Sequence, residues 1–199
     1  AGIYSVTVYD NAGCTASLSA TITQPPAFGV TALRNNVPCN GGSVGSIVIS
    51  PSGGVTPYTF LWNDGTQNQN RSFLAAGTYS LTVTDNNNCT FSLTTVITQP
   101  ALISVIETHS NVLCNAETNG TISLSTTGGV SPYHYSWNDG DSSTNRTNLA
   151  AGNYLVTVTD HNACPVSLAV TITQPVALAV AETHTDVLCN GTNTGSINT

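Results

Sequence analysis

Lysine and methionine are absent from the 199 residues, and Arg34, Arg71 and Arg146 are the only strong cations. With a formal net charge of −7, the chain has no basic patch to neutralise phosphates, which argues against a nucleic-acid partner. No apolar run approaches the ~20 residues that span a bilayer, so membrane insertion by this segment is not expected. Initiator Met and signal peptide are missing too, and the sequence reads as an interior piece of something longer. Charged residues make up only 7% of the chain, yet mean hydropathy stays near zero because Thr, Ser and Asn carry the polarity. Helix formers are scarce. Thr and Val favour a pleated, half-buried surface, and 17 Gly, 9 Pro and many Asn and Asp supply turns. This is an extracellular, β-rich composition.

What is present is repetition. GTYSLTVTDNNNC at 77–89 returns as GIYSVTVYDNAGC at 2–14 and GNYLVTVTDHNAC at 152–164, always 75 residues apart. ITQP recurs at 22–25, 97–100 and 172–175, and PYTFLWNDG at 57–65 is echoed by PYHYSWNDG at 132–140. Self-similarity at a fixed period signals a tandem architecture. Proline cannot donate to a sheet ladder and holds the residue before it extended, so Pro25, Pro100 and Pro175 mark linkers. The expected organisation is the C-terminal part of a repeat at 1–25, complete repeats at 26–100 and 101–175, and the N-terminal part of a repeat at 176–199.

Within a repeat, Tyr79, Leu81 and Val83 alternate with Ser80, Thr82 and Thr84, the period of a strand with one buried face. Tyr154, Val156 and Val158 repeat the pattern, and further alternation appears around Ile47, Phe60 and Val170. Six or seven short strands in 75 residues predict an all-β fold of tandem immunoglobulin-like or fibronectin-like β-sandwich domains arranged end to end. Leu74-Ala-Ala-Gly77-Thr-Tyr79 is similar to the tyrosine corner that opens the penultimate strand of such domains. Trp62 and Trp137 sit where these folds place a core aromatic, so Trp62, Tyr79, Trp137 and Tyr154 are read as structural core.

The run CNGGSVGSIVISPSGGVTPYTFLWNDG, followed by LAAGTYSLTVTDNNNC and ITQP, resembles the SprB repeat, found in tandem in very large cell-surface adhesins of gliding Bacteroidota. The resemblance covers essentially the whole chain. It implies a secreted protein at the bacterial cell surface, exported by the type IX system and acting as a long adhesive or motility filament. It brings no catalytic residues.

Cys14, Cys39, Cys89, Cys114, Cys164 and Cys189 alternate at spacings of 25 and 50. No C-x-x-C pair suits zinc, so the pattern reads as a disulfide framework. A seven-strand sandwich would place Cys39 at the pole where the chain leaves a unit, the distal pole, and Cys89 at the proximal pole where it enters. Strands of this length separate the poles by roughly 25 Å, whereas a disulfide needs Cα atoms within about 7 Å. That geometry favours an interdomain bond between Cys39 and Cys164. One strand more or fewer would swap the poles, so the intradomain pairs Cys39–Cys89 and Cys114–Cys164, and other pairings, remain open.

Asp64, Asp85, Asp139, Asp141 and Asp160 fall in predicted loops, which bind calcium or form Asx-turns. No D-x-D run with a following Glu occurs, which favours the turns; no cofactor is expected, with calcium the one candidate. His109 and His184 align with Arg34, while His134 and His161 align with Thr59 and Asn86, so none marks a metal or catalytic position. N-x-[ST] sequons begin at Asn70, Asn88, Asn119, Asn145 and Asn190. Nucleophile elbow and phosphate-cradling loop are both missing, and no enzyme is expected. The expected partners are neighbouring repeats of the same chain, lateral copies, or surface glycans. A glycan-binding module is the rival reading, opposed by Tyr58, Phe60, Trp62 and Tyr79 all falling on predicted inward faces.

Overall fold

The computed structural model describes residues 1–191 and 193–199. Thr192, which completes the sequon begun at Asn190, lies outside the described residues. The chain divides into two compact units, Ala1–Pro100 and Ala101–Thr199. Among the described residues the regular structure is entirely β.

The first unit opens with a hairpin of β1 (Gly2–Tyr9) and β2 (Thr15–Ile22). Six strands follow: β3 (Gly29–Asn35), β4 (Gly45–Ser52), β5 (Thr59–Trp62), β6 (Arg71–Leu74), β7 (Gly77–Thr84) and β8 (Thr90–Ile97). They form two three-stranded antiparallel sheets, ordered β3-β4-β6 and β5-β7-β8. The second unit repeats this with β9 (Ser104–Ser110), β10 (Gly120–Thr127), β11 (His134–Trp137), β12 (Asn145–Leu149), β13 (Gly152–Thr159) and β14 (Pro165–Ile172). A short pair, β15 (Thr183–Thr185) and β16 (Ser196–Asn198), closes the described chain.

The period-two pattern decides which face is inside. Ile47, Ile49, Trp62, Leu81, Val83 and Ile97 are at most 2% exposed and form one core with Val30, Val37 and Leu74. Ile122, Trp137, Val156, Val158, Val170 and Ile172 are buried together as the core of the second unit. Tyr79 and Tyr154 pack against these clusters half-exposed, and their hydroxyls donate to the carbonyls of Ala75 (2.9 Å) and Ala150 (3.0 Å), closing the tyrosine corners. These are immunoglobulin-like β-sandwiches.

The seven strands assumed for placing the poles become six. After Trp62 a tight turn brings the Trp62 N–H to the Thr66 carbonyl, and the indole N–H donates to the Asn68 carbonyl. The chain thereby leaves the β5 sheet and crosses to the other without building a strand. Side chains finish the job at the β4 edge: Gln69 Nε2 donates to the Ile49 carbonyl and Asn70 Oδ1 accepts the Ile49 N–H. Strand β6 then pairs Ile47 with Arg71 and Gly45 with Leu74 across a bulge in which Phe73 has a φ of 57°. Because β5 covers the proximal half of one sheet and β6 the distal half of the other, both run the same way and amount to one traverse. Five traverses are odd, as seven would be, so the chain still enters and leaves each sandwich at opposite poles.

Candidate functional site at the poles and cysteine loops

The distal pole is built around Cys39. Residues Asn36–Gly42 curl so that the Gly42 N–H meets the Cys39 carbonyl at 3.2 Å, and Gly41 takes a φ of 75° to complete the turn. The departing chain is bound to this loop rather than released by it. Val37 N–H donates to the Thr98 carbonyl (3.0 Å), and Thr98 N–H to Asn36 Oδ1 (3.0 Å). Gln99 Oε1 accepts the Gly41 N–H (2.8 Å), and Asn40 Nδ2 donates to the Pro100 carbonyl (3.0 Å). The second unit repeats each bond, with Gln174 Oε1 on the Ala116 N–H at 2.9 Å and Asn115 Nδ2 on the Pro175 carbonyl at 3.0 Å. The Gln of the ITQP motif is thus a clamp, a role that a boundary reading of Gln-Pro does not reveal.

At the proximal pole the arriving chain is held as tightly. Gly54 N–H donates to the Pro26 carbonyl, and its counterpart Gly129 N–H donates to the Ala101 carbonyl, both at 2.9 Å. Only glycine fits beside them: a Cβ on Gly53 or Gly128 would stand 1.9 Å from the carbonyl oxygen of Ala27 or Leu102. Pro100 is therefore bonded within the first unit, and the next residue, Ala101, within the second.

Cys89 and Cys164 occupy the β7–β8 and β13–β14 turns, at this same pole. Asp85 organises the first turn: Oδ1 accepts the N–H groups of Asn87 (2.9 Å) and Cys89 (2.8 Å), and Oδ2 accepts that of Val55 (2.9 Å). Burial works to raise the Asp85 carboxyl, but the Cys89, Val55 and Asn87 N–H donors outweigh it and hold the group below its ordinary value. Asp160 is held below its ordinary value too, foremost by the Cys164 N–H and then, against burial, by Val130 and Asn162.

Cys39 and Cys164 are disulfide-bonded, whereas Cys14, Cys89 and Cys114 carry free, exposed thiols. The intradomain pairs Cys39–Cys89 and Cys114–Cys164 are therefore corrected: one member of each is a thiol. The physical reason is that Cys39 lies at the distal pole with Gln99, and Cys89 at the opposite pole with Val55. Cys164 is 7% exposed and Cys39 is half-buried.

The remaining acids are engaged locally. Asp64 receives both guanidinium nitrogens of Arg71, at 3.2 and 2.7 Å, and this bond chiefly lowers its carboxyl to about 2. Arg71 in turn lies 5.3 Å above the Trp62 ring and 5.9 Å from that of Tyr79. Arg146 meets Asp139 and Asp141 and stacks on Trp137 and Tyr154 in the same way. The arginine closing each core was missed from sequence; its exact repetition at 75 residues was the available signal. Among the described residues no three His, Cys, Asp or Glu side chains gather as a metal site. His109 and His184 each lie beside a glutamate, at 3.0 Å from Glu107 and 3.2 Å from Glu182.

Two sheets, a tyrosine corner and a cysteine loop at either pole define a tandem immunoglobulin-like repeat. The SprB repeat family matches it at residues 34–67 and 106–142, one stretch in each unit. Among solved structures, the crystal structure of DIP-gamma IG1+IG2 is 13% identical and covers 75% of this chain and 98% of its own, with a TM-score of 0.39. Dpr11 IG1 bound to DIP-gamma IG+IG2 is 14% identical, covering 75% and 99%, with a TM-score of 0.32. Scores this low carry no argument, and the fold assignment rests on the sheets themselves. No match was found among curated proteins.

Proposed function

We propose that the chain is a structural, non-enzymatic segment of a long secreted cell-surface adhesin or filament, serving attachment or gliding motility. In it, immunoglobulin-like units are joined by short Gln-Pro linkers and stiffened by an interdomain Cys39–Cys164 disulfide. The observation that carries this reading is the oxidation pattern: Cys39 and Cys164 are disulfide-bonded, while Cys89 and Cys114 are thiols. The burial of Cys164 beside the exposure of its counterpart Cys89 supports it. The SprB match supports the cell surface, an oxidising setting in which disulfides persist.

The linker acts with the disulfide. Domain motion is the default across small interfaces, and free linker residues are what permit it. Here Pro100 and Ala101 are each hydrogen-bonded to their own unit, which leaves no free residue at the junction. The proposed bond also closes a loop from residue 39 to residue 164, a separation of 125, which on the chain-entropy account stabilises the fold by about 4–5 kcal/mol. Under tension such a segment withholds length. Single-molecule pulling should find that the oxidised chain keeps back roughly 400–450 Å of contour, at ~3.3–3.6 Å per residue, until a reductant is added. Cys39→Ser should release it at once. Equal extension with and without reductant would overturn the reading.

A further inference from the structure

The cysteines fall into two kinds of loop, and each kind occurs here in both redox states. Cys114 sits in the loop that holds Cys39. Glu117 N–H meets the Cys114 carbonyl at 3.3 Å, as Gly42 meets Cys39 at 3.2 Å, and Ala116 takes a φ of 66° where Gly41 takes 75°. A non-glycine residue persists in that region only where its surroundings hold it, and Ala116 is held there by the bond from its N–H to Gln174. Cys89 likewise sits in the loop that holds Cys164. The Asp85 and Asp160 carboxylates grip the two cysteine N–H groups at 2.8 and 3.0 Å. Asn88 and Ala163 share φ values of 63° and 61°, and Asn86 and His161 donate to Val55 and Val130 at 2.8 Å each. The backbone around each thiol is thus already that of its oxidised counterpart, so forming a bond requires no local rearrangement.

We infer that Cys114 and Cys89 are the two complementary halves of a covalent joint to further SprB units. Cys114 takes a cysteine from a β7–β8-type turn, and Cys89 takes one from a distal-pole loop. This rests on the Cys39–Cys164 reading and adds a pairing rule: unlike loops join, like loops do not. The surfaces that meet are different, so the contact is heterologous and can be repeated from unit to unit, as the growth of a fibre requires. Joining two thiols removes two protons and two electrons, and a disulfide oxidant such as glutathione disulfide accepts them. The first thiolate displaces one glutathione to give a mixed disulfide, and the second thiolate attacks that bond and releases the other glutathione.

The 199-residue chain tests this directly, because a second copy supplies both kinds of loop. It would be incubated at high concentration with glutathione disulfide, separated without reductant, and the bands digested and mapped. The expected result is a ladder of covalent oligomers in which Cys114 is joined to Cys89 or Cys14 of another copy, at least tenfold above like-with-like pairs. Cys14 belongs with Cys89 because Asp10 grips its N–H in the same way, at 2.8 Å. Cys114–Cys114 and Cys89–Cys89 peptides at comparable yield would overturn the rule, as would recovery of Cys114 solely as a glutathione adduct. The same digest reports Cys39. Should Cys39–Cys164 be present while the rule fails, this inference alone falls; a Cys39–Cys89 peptide would remove the reading beneath it.

Discussion

The hairpin β1–β2 and the hairpin β7–β8 are the same structure in two surroundings. Their registers match residue for residue: Gly2 faces Ile22 as Gly77 faces Ile97, and Tyr9 faces Thr15 as Thr84 faces Thr90. Hydroxyl pairs cross both outer faces, Ser5–Ser19 at 2.9 Å and Ser80–Thr94 at 3.1 Å. Both turns are capped by an aspartate that accepts the cysteine N–H, at 2.8 Å in each. What differs is the opposing sheet. Val6, Val8 and Ile22 are 56%, 62% and 56% exposed, while Leu81, Val83 and Ile97 at the same positions are 1%, 0% and 1% exposed. Pairing, register and turn are thus written locally, and burial is added by β3, β4 and β6.

That comparison is broken most severely by amide exchange. A two-stranded hairpin is marginal by itself, whereas core strands exchange through global unfolding. With several kcal/mol separating the two regimes, amides of 77–97 should be protected at least ~1000-fold more than those of 2–22. Similar protection would show that the first hairpin is covered in solution. Truncation sharpens the point: Leu81→Ala should cost about 2–5 kcal/mol in chemical denaturation, and Val6→Ala at the equivalent position should stay within about 0.5 kcal/mol. A smaller contrast belongs to the corner. Tyr79→Phe removes the bond to Ala75 and should cost about 0.5–1.5 kcal/mol, against no measurable change for Tyr4→Phe, whose ring is 58% exposed.

Acid should produce the mildest effect. Asp64 lies at about 2 in the folded chain, beneath its ordinary 3.8, so its contribution is complete above pH 4 and fades as the pH falls towards 2. Asp85 and Asp160 are also lowered and act in the same direction. Asp10 has the donors from Ala12 and Cys14 but no counterpart of the Val55 bond. Asp85→Asn should therefore shift the acid midpoint upward more than Asp10→Asn. An acid midpoint indifferent to Asp85 would mean that the third donor adds nothing.

Much of this was legible in the sequence because it is periodic or local. Alternation located the strands, LAAGTY the corner, and the repeated Trp62 and Trp137 the cores. The parts that escaped depend on contacts distant along the chain. Nothing in TQNQN announces that Gln69 and Asn70 will stand in for a strand at Ile49, so the choice between six strands and the seven assumed for placing the poles was not legible there. Gln99 read as linker because its partner, Gly41, lies 58 residues away. In the sequence Arg71 is only one of three strong cations, since its stacking on Trp62 and Tyr79 exists only once two sheets have met. The pole assignment held for a reason the strand count did not contain: β5 and β6 share one traverse, so the parity of crossings is unchanged.

The most direct test of the stapled, stiff segment is non-reducing peptide mapping of the whole chain. The account predicts a peptide joining Cys39 to Cys164, with Cys89 alkylated as a free thiol. A peptide joining Cys39 to Cys89 would contradict it, and would make the units independently locked beads on short linkers.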